Sequence, residues 1–82
     1  MSGEGPDDYT ADIRFGEWLR LKRSNVGLSI EATAKLAELS VRRLKGIEMG
    51  LSGRGITGQE AKRLGSVYGI ELKEILDRAS GI

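Results

Sequence analysis

The run from Leu28 to Gly50, LSIEATAKLAELSVRRLKGIEMG, leaves this chain few ways to fold. Its apolar residues recur at three- and four-residue steps in two short blocks broken near Ser40, which predicts two amphipathic helices joined by a tight turn. Ser29 and Ser40 each precede a block, and a serine there can accept a free backbone N–H of the helix it opens. The first block, over about residues 30–38, puts Ile30, Thr33, Ala34 and Ala37 on one side, and these mostly small side chains permit close packing. In the second block Leu44 and Ile47 mark the inward face, and Gly50 ends it. Gly46 lies inside that block, where glycine costs about 1 kcal/mol relative to alanine. Either a neighbour approaches closely there or the helix is short.

The rest of the chain extends the helical pattern. Phe15, Trp18, Leu19 and Val26 form a stripe on a first helix over about 12–25, and Gly27 can take positive φ just past its end. Trp18, placed in that stripe, is expected in the core rather than stacked on a base. Residues 50–57 hold three glycines and read as a loop. Thr57-Gly58-Gln59-Glu60 is a capping box, so a fourth helix begins there, with Ala61, Leu64, Val67 and Tyr68 as its stripe and Gly69 as its stop. A fifth, over about 71–79, carries Leu72, Ile75 and Leu76. No segment alternates with period two over a useful length, so the expected class is all-α, a bundle of five helices in one domain over 12–80. Residues 1–11, rich in Gly and Asp, are expected to be a disordered acidic tail.

Charge and composition narrow the function. Residues 1–12 hold Glu4, Asp7, Asp8 and Asp12 and no basic residue, so the remainder carries 13 basic against 8 acidic residues, a net +5. Seven of those cations (Arg20, Lys22, Arg23, Lys35, Arg42, Arg43 and Lys45) fall between positions 20 and 45 against only Glu31 and Glu38. A local basic field of this kind attracts polyanions, although charged residues also simply solvate helices. There is no Cys and no His, which removes disulfides, thiolate metal sites and the commonest general base. No catalytic set, metal site or cofactor is expected. No apolar stretch approaches the roughly 18 residues that cross a bilayer, and the N-terminal residues lack the order of a signal peptide, so the expected location is the cytoplasm, with no membrane partner.

Two short helices with cations on the second describe a helix-turn-helix at helices two and three, whose second member enters the DNA major groove. Arg42, early in that helix, can donate two hydrogen bonds to guanine O6 and N7. Arg43 points about 100° further round and better meets a phosphate, while Lys45 can do either. Arg54, in the glycine-rich loop, either holds a phosphate or is an ordinary exposed loop side chain. Ser29 and Ser40 are caps first and phosphate contacts second. Leu51, Ile56, Leu72 and Ile82 are apolar residues near the loop or the C-terminal end, and some of them left exposed would support a two-fold dimer.

From Phe15 to Leu76 the chain resembles the Xre and phage-repressor family, the Cro and lambda-repressor-like helix-turn-helix proteins. The matching residues are Phe15-Gly16-Glu17, Leu19-Arg20, Gly27-Leu28-Ser29, Glu31, Ala34, Ala37, Ser40, Ile47-Glu48 with Gly50, Gly69-Ile70, and Leu72 with Glu74-Ile75-Leu76. The resemblance implies a five-helix lambda-repressor-like bundle that binds double-stranded DNA as a homodimer, with Ser40, Val41, Arg42, Arg43, Lys45 and Gly46 facing the duplex. It also implies an ion pair between Arg23 and Glu48. The chain departs from the family pattern at Ile30, where a glutamine usually anchors to the DNA backbone, and at Lys22, where leucine or alanine is common. Glu38 stands where glycine often makes the turn, so that turn needs another conformation or a strained one. The loop after Gly50 is about two residues longer than is typical of the family. The expected function is sequence-specific transcriptional regulation, most simply by a small dimeric repressor. The alternative is a protein-interaction module, such as an antitoxin or a transcription co-regulator, with a protein as its partner.

Overall fold

The computed structural model describes residues 13–51 and 55–80. The acidic segment 1–11, Asp12, Arg54 and Ile82 lie outside the described residues. Five helices follow in order: α1 (Ile13–Asn25), α2 (Ile30–Leu36), α3 (Val41–Glu48), α4 (Gly58–Tyr68) and α5 (Leu72–Ala79), with no strand among the described residues. Helix α3 packs on α1 and α2, while α4 packs on α2 and α5. One core joins them, built from Phe15, Leu19, Leu44, Ile47, Leu64 and Ile75, with alanines 34, 37 and 61 between the larger side chains.

The caps set the register. Ser29 Oγ accepts the Ala32 N–H at 3.0 Å and Ser40 Oγ accepts the Arg43 N–H at 3.0 Å, which fixes where α2 and α3 begin. Thr57 and Glu60 form the reciprocal capping box at the start of α4. Helix α5 starts without a side-chain cap, since Glu71 makes no such bond. Val26 does not continue the α1 stripe. It lies past the helix end and is 42% exposed, so the first helix buries Phe15, Gly16 and Leu19 instead. Trp18 is half-buried, 6.0 Å from the Phe15 ring, with Lys22 Nζ at 5.6 Å and Arg78 Cζ at 5.0 Å from its own centroid.

Helix α2 stops at Leu36, two residues before its expected end, and the turn explains why. The Leu39 N–H reaches back to Ala34 O at 2.8 Å and the Glu38 N–H to Lys35 O at 3.2 Å, the paired bonds of a Schellman ending. That motif needs a left-handed residue, and Glu38 supplies it at φ +58°, where the equivalent residue after α3, Gly50, has φ +74°. A side chain at positive φ costs about 1 kcal/mol. Among the described residues Glu38 pairs only with Arg63, at 3.5 Å and from a side chain 73% exposed, and pairs of that kind contribute little. Glu38→Gly is therefore expected to raise stability by about 1 kcal/mol, read as a higher denaturation midpoint at unchanged slope.

Candidate nucleic-acid interface

Helix α3 divides cleanly into two faces. Leu44, Ile47 and Glu48 are buried, whereas Arg42 and Lys45 are exposed and make no ion pair among the described residues. Arg42, Lys45, Gly46 and Met49 stand three or four residues apart and so share the outward side. With Arg43 and Leu51 they line an open concavity of about 380 Å³. Met49 and Leu51 are 58% and 70% exposed, so this concavity is lined by apolar side chains as well as cations.

Gly46 resolves one of the alternatives left by the sequence. A methyl group placed on it would meet nothing within 4 Å, so no neighbour inside the described fold requires glycine there. The helix is short, eight residues, and its outer surface is open above that position. Open backbone beside two exposed cations lets a bulky polyanion approach the helix closely.

Arg43 is placed differently from the sequence expectation. Its Nε donates to Glu60 Oε2 at 2.8 Å, and its NH2 group donates to Glu60 Oε1 at 2.8 Å and to Gly55 O at 2.7 Å. The guanidinium thus folds back onto the start of α4 instead of projecting toward a phosphate. The physical reason is a carboxylate with the right fork geometry one helix away, which no spacing in the sequence reveals. Hydrogen bonding from Arg43 holds the Glu60 carboxyl below its usual pKa, against the opposing effect of burial, and the same bond raises Arg43. Val41, expected at the duplex, is half-buried and packs against the core. It stands at the N-terminus of α3, where the turn from α2 brings it against the bundle.

Arg23 and Glu48 meet as a fork: Arg23 Nε to Glu48 Oε2 at 2.7 Å and NH2 to Oε1 at 3.0 Å. Arg23 NH1 also donates to Leu28 O at 3.1 Å, so one side chain ties the turn before α2 to the end of α3. The bond to Glu48 raises the Arg23 pKa. Close by, burial pushes the Tyr68 hydroxyl up to about 12. Among the described residues neither Thr33 Oγ1 nor the Tyr68 hydroxyl has a hydrogen-bond partner of good geometry, although the Thr33 hydroxyl is near enough to temper that rise.

Two of the seven cations between positions 20 and 45 are therefore committed to internal carboxylates, Arg23 to Glu48 and Arg43 to Glu60. Lys22 lies over Trp18. Arg20, Lys35, Arg42 and Lys45 remain exposed. Sequence reasoning missed Gly16 and Gly65, whose added Cβ atoms would meet the backbone of residues 47–48 and of Ile70. Their signal was visible as glycine inside helices and in phase with the buried stripe. Glu60 was read only as a cap, and its link to Arg43 left no local signature. Among the described residues no helix is long and apolar enough to cross a membrane, and no three metal-ligating side chains cluster.

No protein-family model matches the chain, nor does any of the curated proteins compared with it. Among solved structures, the restriction-modification controller protein C.AhdI from Aeromonas hydrophila matches with a TM-score of 0.72 and 31% sequence identity, over 85% of this chain and 99% of that one. Five helices in this arrangement, two of them joined by the tight turn at Glu38, make a repressor-like helix-turn-helix bundle. Given that identity over nearly all of C.AhdI, the chain belongs to the family of this controller protein.

Proposed function

We propose that this chain is a sequence-specific, DNA-binding transcriptional regulator of the controller-protein kind, within the broader Xre and phage-repressor family. The observation that carries the reading is the outer face of α3, where Arg42, Lys45 and the open backbone of Gly46 stand together at the second helix of a helix-turn-helix. Double-stranded DNA is the partner, Arg42 reads a base edge, and Lys45 meets a phosphate or a base. The N-termini of α2 and α3, capped by Ser29 and Ser40, meet phosphates on either side. Arg54 belongs to the same proposed interface as a phosphate contact. The protein works without turnover or cofactor, in the cytoplasm with the genome.

A homodimer fits this role. Leu72 and Leu76, one turn apart on α5, are 39% and 37% exposed, and an uncovered apolar strip of that kind suits a self-complementary two-fold contact. Two such subunits place recognition helices about 34 Å apart, one turn of duplex, and a dimer on a promoter acts most simply as a repressor.

Selection from a random duplex pool tests the reading. The expected product is a two-fold-related site bound at least about 1,000 times more tightly than random duplex at the same salt. Arg42→Ala is expected to lower affinity for that site by about 1–3 kcal/mol and to relax the preference at one base pair, with little change on random duplex. Equal binding to all duplexes, or none, overturns the regulator reading. Capture of a protein partner under those conditions supports an interaction module in its place.

A further inference from the structure

Position 43 presents an anomaly for a groove-entering helix. Arg43 follows Arg42 directly, yet its guanidinium is turned through the Glu60 fork toward the start of α4, with side-chain exposure of 25% for Arg43 and 15% for Glu60. The same carboxylate accepts the Thr57 N–H at 2.9 Å through Oε1, and Arg43 also holds Gly55 O. The Arg43–Glu60 pair thus joins the first turn of α3, the residue Gly55 ahead of α4, and the cap of α4. Arg42 and Lys45, which line the same concavity, make no such pair among the described residues.

A cation on this helix does one of two things for recognition. Aimed at a base edge it discriminates between sequences, and aimed at a phosphate it adds attraction that every duplex shares. Sequence-independent attraction raises binding to every duplex alike, so each phosphate contact added beside the reading residues tightens the hold on random DNA and steepens the salt dependence without adding discrimination. A neutralised arginine contributes rigidity without that attraction.

We propose that Glu60 is a positioning residue that limits sequence-independent binding: its carboxylate withholds Arg43 from the DNA backbone, so that the reading end of α3 offers Arg42 without a neighbouring phosphate-seeking charge. The inference rests on the regulator reading above and deepens it. Arg43 is a strut between α3 and α4, and Glu60 acts on DNA through it without touching the duplex. A phosphate reaching Arg43 would have to displace two charge-assisted bonds to Glu60 and one to a carbonyl.

Glu60→Gln tests this, because glutamine keeps the capping box at that position while removing the charge. The full chain is titrated against its selected site and against random duplex of equal length from about 50 to 200 mM salt. Relative to the unsubstituted chain, E60Q is expected to bind random duplex several-fold more tightly at low salt. Its logarithmic salt slope should steepen by about 0.9, one added phosphate contact, on the selected site and on random duplex alike. Arg43→Gln, tested in parallel, is expected to leave the slope of the unsubstituted chain unchanged while lowering the melting temperature. A slope shallower by about 0.9 in R43Q overturns the proposal, since Arg43 would then already be on a phosphate. An E60Q variant with unchanged slope also overturns it, leaving Glu60 as a cap alone. If E60Q does not fold, the R43Q slope decides. A chain that prefers no duplex at all sinks the regulator reading and this one with it, whereas a preference for one site with either adverse slope result sinks only this one.

Discussion

Arg23→Ala is expected to destabilise the fold by about 3–5 kcal/mol, a large share of the roughly 4–12 kcal/mol typical of a domain this size. The reason is the partner left behind. Glu48 keeps only 4% of its side chain exposed, so without the Arg23 fork its carboxylate is a nearly buried charge with no compensating cation. Glu48→Ala should cost less, because Arg23 is 18% exposed, can swing toward solvent and retains the Leu28 carbonyl. Replacing both with apolar residues of similar volume should recover much of the loss. Urea denaturation of the two single variants and the double variant checks this as a cycle. Equal costs for R23A and E48A would contradict the asymmetry of burial that drives the prediction.

Gly16→Ala is expected to be nearly as damaging, about 3 kcal/mol or more despite alanine's better helix propensity. An added Cβ at Gly16 would run into the Glu48 carbonyl oxygen and meet Glu48 C at 2.6 Å and Ile47 O at 2.7 Å. All three are backbone atoms near the end of α3, so no side chain can rotate away and the whole helix must shift. Such a shift would also pull on the Arg23–Glu48 fork, since Glu48 is on the displaced segment. Loss of thermal stability together with weakened binding to the selected duplex is the expected pair of results. A Gly16→Ala variant that melts at or above the original temperature would show that α1 and α3 are not held as close as described.

These effects were unequally legible in the chain itself. The helix starts could be read from single residues: Ser29, Ser40 and the Thr57–Glu60 box act over three positions, so their physics is local. Leu44, Ile47, Leu64 and Ile75 were likewise readable as inward, because helical period alone assigns them a face. The conflict at Glu38 was visible as a charged residue where a turn favours glycine, and the structure resolves it by placing that residue at positive φ. Val26 misled because a stripe extrapolated past a helix end has no face to belong to. Ile56, grouped with the exposed apolar residues, is half-buried and packed on the core, whereas Leu51 and Leu72 are exposed.

The candidate site divides along the same line. Arg42 and Lys45 were assignable to an outer face from period, and they occupy one. Arg43 was assigned by the same rule, which fixes the direction of a Cα–Cβ bond but not the end of a side chain several bonds longer. Its guanidinium follows the strongest nearby acceptor, and that acceptor is 17 residues away.

By itself the sequence determined an all-helical chain, the starts of the capped helices and the helix that carries the exposed cations, because caps and periodicity act within one or two turns. The tertiary structure alone decided which of those cations are spent on internal carboxylates, how closely α1 approaches α3, and that Gly46 opens outward. Each of these depends on distances between atoms remote in the chain, and Coulombic attraction and steric exclusion act on such distances, not on sequence separation.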